Sequence, residues 1–140
     1  TFYRKNSKVP LEKNVDCLLA DTTGELLSFI ESANIVIMGK SLGGHHEGHN
    51  LIEPAMFEKA IVTGARLDNF RFILDAMKKD DALITVESPE ELEYRLRRLV
   101  ESREFRDQLG KRAGESVAKH RGATEKTIKL LKELLIQKGN

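Results

Sequence analysis

Apolar and polar positions along this chain form blocks whose period changes between strand-like and helix-like. Three short, continuous apolar runs, at 34–39, 60–64 and 82–86, have the length and composition of strands buried on both faces. A fourth apolar run, at 15–20, is also rich in strand-forming residues. Because longer segments with apolar residues at helical spacing separate these runs, the pattern predicts parallel strands joined by crossovers.

The segments between and after the strands carry helix signals. Asp21 or Thr22 can cap one helix, and Ser88, followed by proline and two early glutamates, begins another. The predicted helices are 21–33, one or two turns within 51–59, 67–80, 88–102, 103–119 and 123–138. The expected fold class is therefore α/β: a Rossmann-like parallel sheet flanked by helices, with further helices at the C-terminal end.

Composition narrows the function classes. The 140 residues are 40% hydrophobic and 32% charged, as expected for one soluble globular domain. The net charge is +1 and no stripe combines basic and aromatic residues, so nucleic acid is not an expected partner. No apolar stretch reaches the roughly 18 residues that a membrane-spanning helix needs. The single cysteine, Cys17, lies in an apolar run, where we expect a buried thiol in a reducing compartment.

A glycine-rich stretch after the 34–39 strand carries the candidate chemistry. Glycines at 39, 43, 44 and 48 would let backbone amides approach an anion, and a predicted helix follows. The spacing matches neither the P-loop, because Lys40 precedes the glycines, nor the GxGxxG motif. This stretch and DTTGE each follow a predicted strand, and ligands of open parallel sheets bind at the carboxyl ends of strands.

The histidines of this stretch allow a second interpretation. His45, His46 and His49 could hold a metal ion from a loop at 45–49. However, HEGH is not the zinc-protease pattern, and no cysteine or second histidine cluster completes a ligand set. A metal site is therefore the weaker of the two interpretations.

The end of the stretch, NLIEP, suggests how a sugar could be held. Asn50 and Glu53 fit a capping box in its wider sense; alternatively, the helix begins at Pro54 with Glu53 as its cap. In both cases the Glu53 carboxylate lies on the first helical turn, beside the amide-rich anion site. Amides for a phosphate and a carboxylate for ribose hydroxyls are the groups that a nucleotide requires.

DTTGEL and GHNLIEPA, at the separation seen here, resemble a known family. With AIVTG, NF and the tail HRGATEKTIKLL, they are similar to the C-terminal domain of the 3-deoxy-D-manno-octulosonic acid (Kdo) transferases, from about Val15 to the end. The resemblance implies a GT-B architecture, two Rossmann-like domains with a cleft between them. Residues 1–140 would then be the slightly truncated C-terminal, donor-nucleotide-binding domain.

This resemblance also implies an activity. The full-length protein would transfer Kdo from CMP-Kdo to a lipid A precursor in lipopolysaccharide biosynthesis, with inversion and without a metal or other cofactor. It would work at the cytoplasmic face of the bacterial inner membrane, with the N-terminal domain and the membrane surface as further partners. The chain has no initiator methionine and reads as a piece of a longer protein. We expect this piece alone to be inactive, because the family's catalytic base belongs to the N-terminal domain.

Particular positions follow from the same resemblance. Those implied in nucleotide binding are Thr23, Gly24, Glu25, Asn50, Leu51, Ile52 and Glu53. Those implied in lining the donor pocket are Ser41, Gly48, His49 and Asn69. Backbone amides at 23–25 and 50–52 would meet cytosine and phosphate, and Glu53 would accept hydrogen bonds from the ribose hydroxyls.

The chain departs from the family pattern around the glycine-rich stretch. Lys40 and Glu47 stand where the family has glycine, and the segment between serine and GHN is one residue longer. The resemblance supplies no role for Lys40, His45 or His46. Another GT-B transferase, for example one that uses a UDP-sugar, and a non-catalytic α/β binding module therefore stay open as alternatives.

Overall fold

The computed structural model describes residues 1–7, 10, 15–120, 127, 128 and 131. The predicted helix at 123–138 lies, apart from three residues, outside this described part. Within it the elements are β1 (Phe2–Arg4), β2 (Cys17–Leu19), α1 (Leu26–Ser32), β3 (Ile35–Met38), α2 (Ile52–Met56), β4 (Ala60–Gly64), α3 (Arg71–Lys79), β5 (Ile84–Val86), α4 (Pro89–Glu101) and α5 (Arg103–Ala118).

All strand pairs in the described ranges are parallel, and helices connect and flank them. The larger sheet has the order β3-β4-β5, with Val62 of β4 opposite Ile37 and Ile84. A second, two-stranded sheet pairs β1 with β2, Phe2 lying opposite Cys17. The predicted α/β class with parallel strands is confirmed, although the strands divide between two sheets. Strand β1 was not predicted, because FYR is too short an apolar segment to stand out in the sequence.

The core is built on both faces of β4, which is buried from Ala60 to Gly64. Ile61 belongs to a cluster that includes Leu51, Met77 of α3 and Ala113 of α5. Its neighbours Ala60 and Val62 belong to a separate cluster with residues of α4 and α5. Alternating side chains of one strand thus supply two cores, which is the two-sided burial expected of a central parallel strand.

Helix α5 lies unusually close to the chain that joins α2 to β4. A Cβ built on Gly110 would lie 1.9 Å from the backbone oxygen of Glu58, which no side chain can satisfy without movement. Gly114, one turn later, is less constrained, because the nearest atom is the Glu58 side-chain Cγ at 2.9 Å. Gly110 therefore sets how closely α5 can pack.

The N-terminal elements are more exposed than the apolar pattern suggested. All three residues of β2 are exposed, so the prediction of a buried Cys17 is wrong. Strand β3 is an edge strand in the described part of the sheet, and Ile37 is 44% exposed. On α1, Leu26 and Leu27 are 61% and 51% exposed, and only Ile30 is buried. The reason is the same throughout: within the described residues, no second layer covers these faces.

None of the helices in the described ranges combines the length and apolar character that crossing a membrane requires.

Candidate functional site

The carboxyl ends of β3, β4 and β5 open onto one cleft of about 420 Å³. The loop after β3 contributes Leu42, His45 and His46, and the residue Arg66 follows β4. Glu87 and Ser88 line the cleft where β5 passes into α4. Its position agrees with the rule that open parallel sheets bind ligands at this edge.

The start of α4 is well organised where it meets the cleft. The Ser88 hydroxyl accepts a hydrogen bond from the Glu91 amide at 3.1 Å, and Pro89 occupies the first helical position. Glu90 and Glu91 lie in the first turn. The helix start predicted from these residues is confirmed.

Ser41 attaches the beginning of the loop to the end of β4. Its buried hydroxyl donates to the Met38 carbonyl at 2.7 Å and accepts from the Gly64 amide at 2.8 Å. The Thr63 hydroxyl lies 2.9 Å from the same oxygen. A Cβ on Gly64 would lie 1.9 Å from the Ser41 carbonyl oxygen, so the two backbones touch. The hydroxyl is thus saturated, and Ser41 can line the cleft only with its backbone.

Beyond Ser41 the loop turns through two consecutive glycines. Gly43 and Gly44 have φ of +69° and +84°, in the left-handed region that favours glycine. Nothing lies within 4 Å of a Cβ built on either residue, so their backbones face open space. The loop is held again at His46, whose carbonyl accepts from the Asp68 amide at 2.7 Å.

An ion pair joins the two ends of the loop. The Lys40 ammonium lies 2.7 Å from a Glu47 carboxylate oxygen, and both side chains are substantially exposed. The hydrogen bond from Lys40 lowers the pKa of Glu47, and the charges of Lys40 and His45 act in the same direction. Gly48 follows at a point where a Cβ would lie 1.6 Å from the Leu67 side chain. A side chain at position 48 would therefore require the buried Leu67 side chain to move.

The Asn50 side chain organises the segment before α2. Its Oδ1 accepts from the Ile52 amide at 3.0 Å, and its Nδ2 donates to Glu53 Oε1 at 3.3 Å. The helix begins at Ile52 with Leu51 as N-cap and no side-chain cap bond, so neither the capping box nor the start at Pro54 with Glu53 as cap is formed. Pro54 is tolerated because it lies in the first turn, where a helical amide has no partner to lose.

Two features limit how this segment can meet a ligand. Leu51 is fully buried as a whole residue, so neither its side chain nor its backbone is accessible to a ligand in this structure. Helix α2 has five residues, and so short a helix adds little dipole field. Anion binding here would depend on individual amides, of which Ile52 is already bonded to Asn50.

The DTTGE segment turns sharply between β2 and α1. Gly24 has φ of +85°, and Thr23 is exposed beside it. The Glu25 carboxylate accepts from the Lys5 ammonium and from the Thr22 hydroxyl, and the Lys5 bond is the main cause that lowers its pKa. Glu25 therefore ties β1 to α1, which leaves the backbone of this turn to meet a ligand.

The positions expected to bind the donor are spread over several loops. Ser41 is among the residues that line the 420 Å³ cleft. The others lie at 23–25 after β2, at 48–53 from the end of the glycine-rich loop into the first turn of α2, and at Asn69 in an exposed turn before α3. Arg66 and Glu87 also line the cleft but were not among the residues predicted from the sequence. The sheet-edge rule would have found both, had it been applied after β4 and β5 as well.

His45, His46 and His49 are all exposed. No group of three histidine, cysteine, aspartate or glutamate side chains with metal-binding geometry occurs among the residues the structure describes.

Comparison with known proteins places the chain in a family. Residues 2–116 match the family described as "Glycosyl transferases group 1". Over 135 residues the chain is 31% identical to the 3-deoxy-D-manno-octulosonic acid transferase of Haemophilus influenzae, covering 96% of this chain and 31% of that protein. The corresponding transferase of Bordetella pertussis is 30% identical over 123 residues, 87% of this chain and 28% of that protein. The chain thus spans about a third of the length of the curated relatives it matches.

A solved structure shares the fold. It is the crystal structure of the C-terminal CMP-Kdo binding domain of WaaA from Acinetobacter baumannii, with a TM-score of 0.75 and 23% identity. The match covers 83% of this chain and 60% of the other. The expected fold of a GT-B C-terminal domain is confirmed, as is the resemblance to the Kdo transferases. The chain belongs to the group 1 glycosyl transferases.

Proposed function

We propose that this chain is the donor-nucleotide-binding domain of a Kdo transferase, which transfers Kdo from CMP-Kdo to a lipid A precursor. One observation carries the proposal: Asn50 holds both the Ile52 amide and the Glu53 carboxylate at the first turn of α2. That arrangement fixes a half-buried carboxylate beside a loop rich in backbone amides. The similarity to transferases of this type along 96% of the chain supports the choice of reaction.

The proposed chemistry divides between this chain and the rest of the protein. Inverting displacement needs a base for the acceptor hydroxyl and stabilisation of the leaving CMP. Here, amides at 23–25 and 50–52 would meet cytosine and phosphate, and Glu53 would orient the ribose. Contact at 50–52 requires Leu51 to become accessible and the Ile52 amide to leave Asn50 Oδ1. Ser41, Gly48, His49 and Asn69 would border the sugar side. The base would come from another domain, so this chain alone should bind the donor without turning it over.

Residues 1–140 are proposed to form the C-terminal domain of a larger two-domain enzyme. The length of the relatives supports this proposal, because the chain covers 31% and 28% of two of them. Exposed leucines on β2 and α1, and Ile37 on β3, support it as well, since such faces are usually covered in a complete protein. The full-length enzyme would act at the cytoplasmic face of the inner membrane, where its lipid acceptor lies.

An amide NMR titration of this chain with CMP, and in parallel with UMP, tests the proposal. CMP should shift the amides of 23–25 and 48–53, and Glu53→Gln should weaken binding about tenfold or more by removing bonds to ribose hydroxyls. Glu31→Gln, an exposed substitution on α1, is the control and should leave binding unchanged.

Other outcomes are equally informative. Equal affinity for CMP and UMP would indicate that the donor is a nucleotide sugar other than CMP-Kdo. No shifts at millimolar CMP would overturn donor binding by this chain.

A further inference from the structure

The Lys40–Glu47 ion pair lies at the sheet edge and is unexplained by the proposed contacts. Its two side chains are 47% and 63% exposed, and their charged atoms are 2.7 Å apart. Seven positions separate the residues, so the pair closes the loop that contains Gly43 and Gly44. It is therefore a contact made across a candidate ligand-binding loop.

Lys40 lies in the part of this loop that hydrogen bonds hold in place. It is the middle residue of the turn Gly39–Ser41, directly after β3. The next residue is fastened by the buried hydrogen bonds of its hydroxyl to Met38 and Gly64. The ammonium thus projects from a fixed point at the carboxyl end of β3, on a side chain long enough to change partners.

Glu47 lies at the other end of the same contact, between His46, whose carbonyl accepts from the Asp68 amide, and the buried Gly48. It is joined to the fixed turn through exposed residues and two glycines with open space around them. Exposed ion pairs contribute about 0–1 kcal/mol, so an incoming anion can replace the carboxylate at little cost. The phosphate of free CMP, a monoester that carries up to two negative charges, offers more charge to the ammonium than one carboxylate does, and lysine is a common phosphate ligand.

We propose that Lys40 binds the phosphate of the donor nucleotide. When no nucleotide is bound, Glu47 pairs with the Lys40 ammonium and so competes with the phosphate for it. This inference rests on the proposed function, because it takes a cytidine nucleotide as the ligand. Lys40 would be a specificity-determining residue that distinguishes the charged nucleotide from the neutral nucleoside. Glu47 would set the affinity by competing for the same ammonium.

Calorimetric titration of wild type, Lys40→Gln, Glu47→Gln and the double variant with CMP and with cytidine tests the idea. Lys40→Gln should weaken CMP binding about fivefold, the Coulomb value for a screened contact. Glu47→Gln should tighten CMP binding about two- to fivefold by freeing Lys40. Cytidine should bind all four proteins alike, because it has no phosphate.

The double variant decides between competition and simple repulsion. If Glu47 acts by holding Lys40, its removal should have no effect in the Lys40→Gln background. Lys111 and Glu115 form a matched exposed pair on α5, 3.9 Å apart, and Lys111→Gln and Glu115→Gln are the controls that should leave affinity unchanged.

Four results would contradict the proposal, and each identifies the part that fails. Unchanged CMP affinity in Lys40→Gln, or an equal loss for cytidine, would overturn the role of Lys40 alone. A full gain from Glu47→Gln in the Lys40→Gln background would overturn the competition, since Glu47 would then act by its own charge. No CMP binding by wild type would overturn the proposed function and this inference with it.

Discussion

Ser41 illustrates what a single residue does at this site. The family resemblance implied that Ser41 lines the donor pocket, and in the structure its hydroxyl is bonded to three neighbours from β3 and β4. We expect Ser41→Ala to lower the free energy of unfolding by about 1–3 kcal/mol, because the buried Gly64 amide loses its acceptor. Urea denaturation measures the change.

Ser28→Ala is the control for this substitution. Ser28 is exposed on α1, so its loss should change the free energy of unfolding by no more than about 0.5 kcal/mol. A Ser41→Ala protein as stable as this control would show that the hydroxyl does not fasten the loop.

The close packing of helix α5 against the α2–β4 connection depends on glycine at the point of contact. Alanine at either Gly110 or Gly114 gains about 1 kcal/mol of helix propensity. At Gly110, however, the new Cβ would lie 1.9 Å from a backbone oxygen, whereas at Gly114 the nearest atom belongs to a flexible side chain. We therefore expect Gly110→Ala to lower the free energy of unfolding by a net ~1–3 kcal/mol.

Gly114→Ala should stay within about 1 kcal/mol of wild type in the same urea experiment. Equal effects of the two alanines would mean that α5 can move away from Glu58 without loss, and that the close approach is not required.

The whole molecule should lose stability in acid. Asp21, Glu25 and Asp80 are paired with Arg4, Lys5 and Lys119, contacts that join segments distant in the chain. Hydrogen bonds from these cations are the main cause that lowers the pKa of each carboxyl below its ordinary value of 3.8 for aspartate or 4.5 for glutamate. The unfolded chain then binds more protons than the folded one in acid.

The sign of the effect follows from that difference. The stabilisation from these three ion pairs is fully present above the ordinary pKa values of the carboxyls, and it is lost as the pH falls through their lowered pKa values. The free energy of unfolding should therefore fall between about pH 5 and pH 3. Urea denaturation at pH 5 and at pH 3 measures how steeply the free energy of unfolding depends on pH. Lys119→Met removes the 2.8 Å contact to Asp80 and should reduce this dependence. Equal stability at both pH values would contradict the prediction.

Local patterns in the sequence were enough to determine the order of most elements and the start of α4. They missed β1, and the expected cap at Asp21 or Thr22 was wrong, because α1 begins at Leu26 after Glu25. The Ser88 cap, the pairing of Asn50 with Glu53 and the buried face of α3 were all predictable, because each depends on residues at most a few positions apart. The buried run at 60–64 was equally clear. The family resemblance likewise came from short motifs that stand in the sequence as written.

Only the tertiary structure decided which faces are covered and which distant residues meet. The apolar runs of β2, β3 and β4 look alike in the sequence, but β4 alone of these three has neighbours on both edges and both faces in the described chain. The cleft unites the ends of three strands, and Ser41 bonds across 23 positions to Gly64. The Lys40–Glu47 contact depends on the path of a glycine loop. Such contacts are set by how the chain packs, and no local pattern of residue types encodes them.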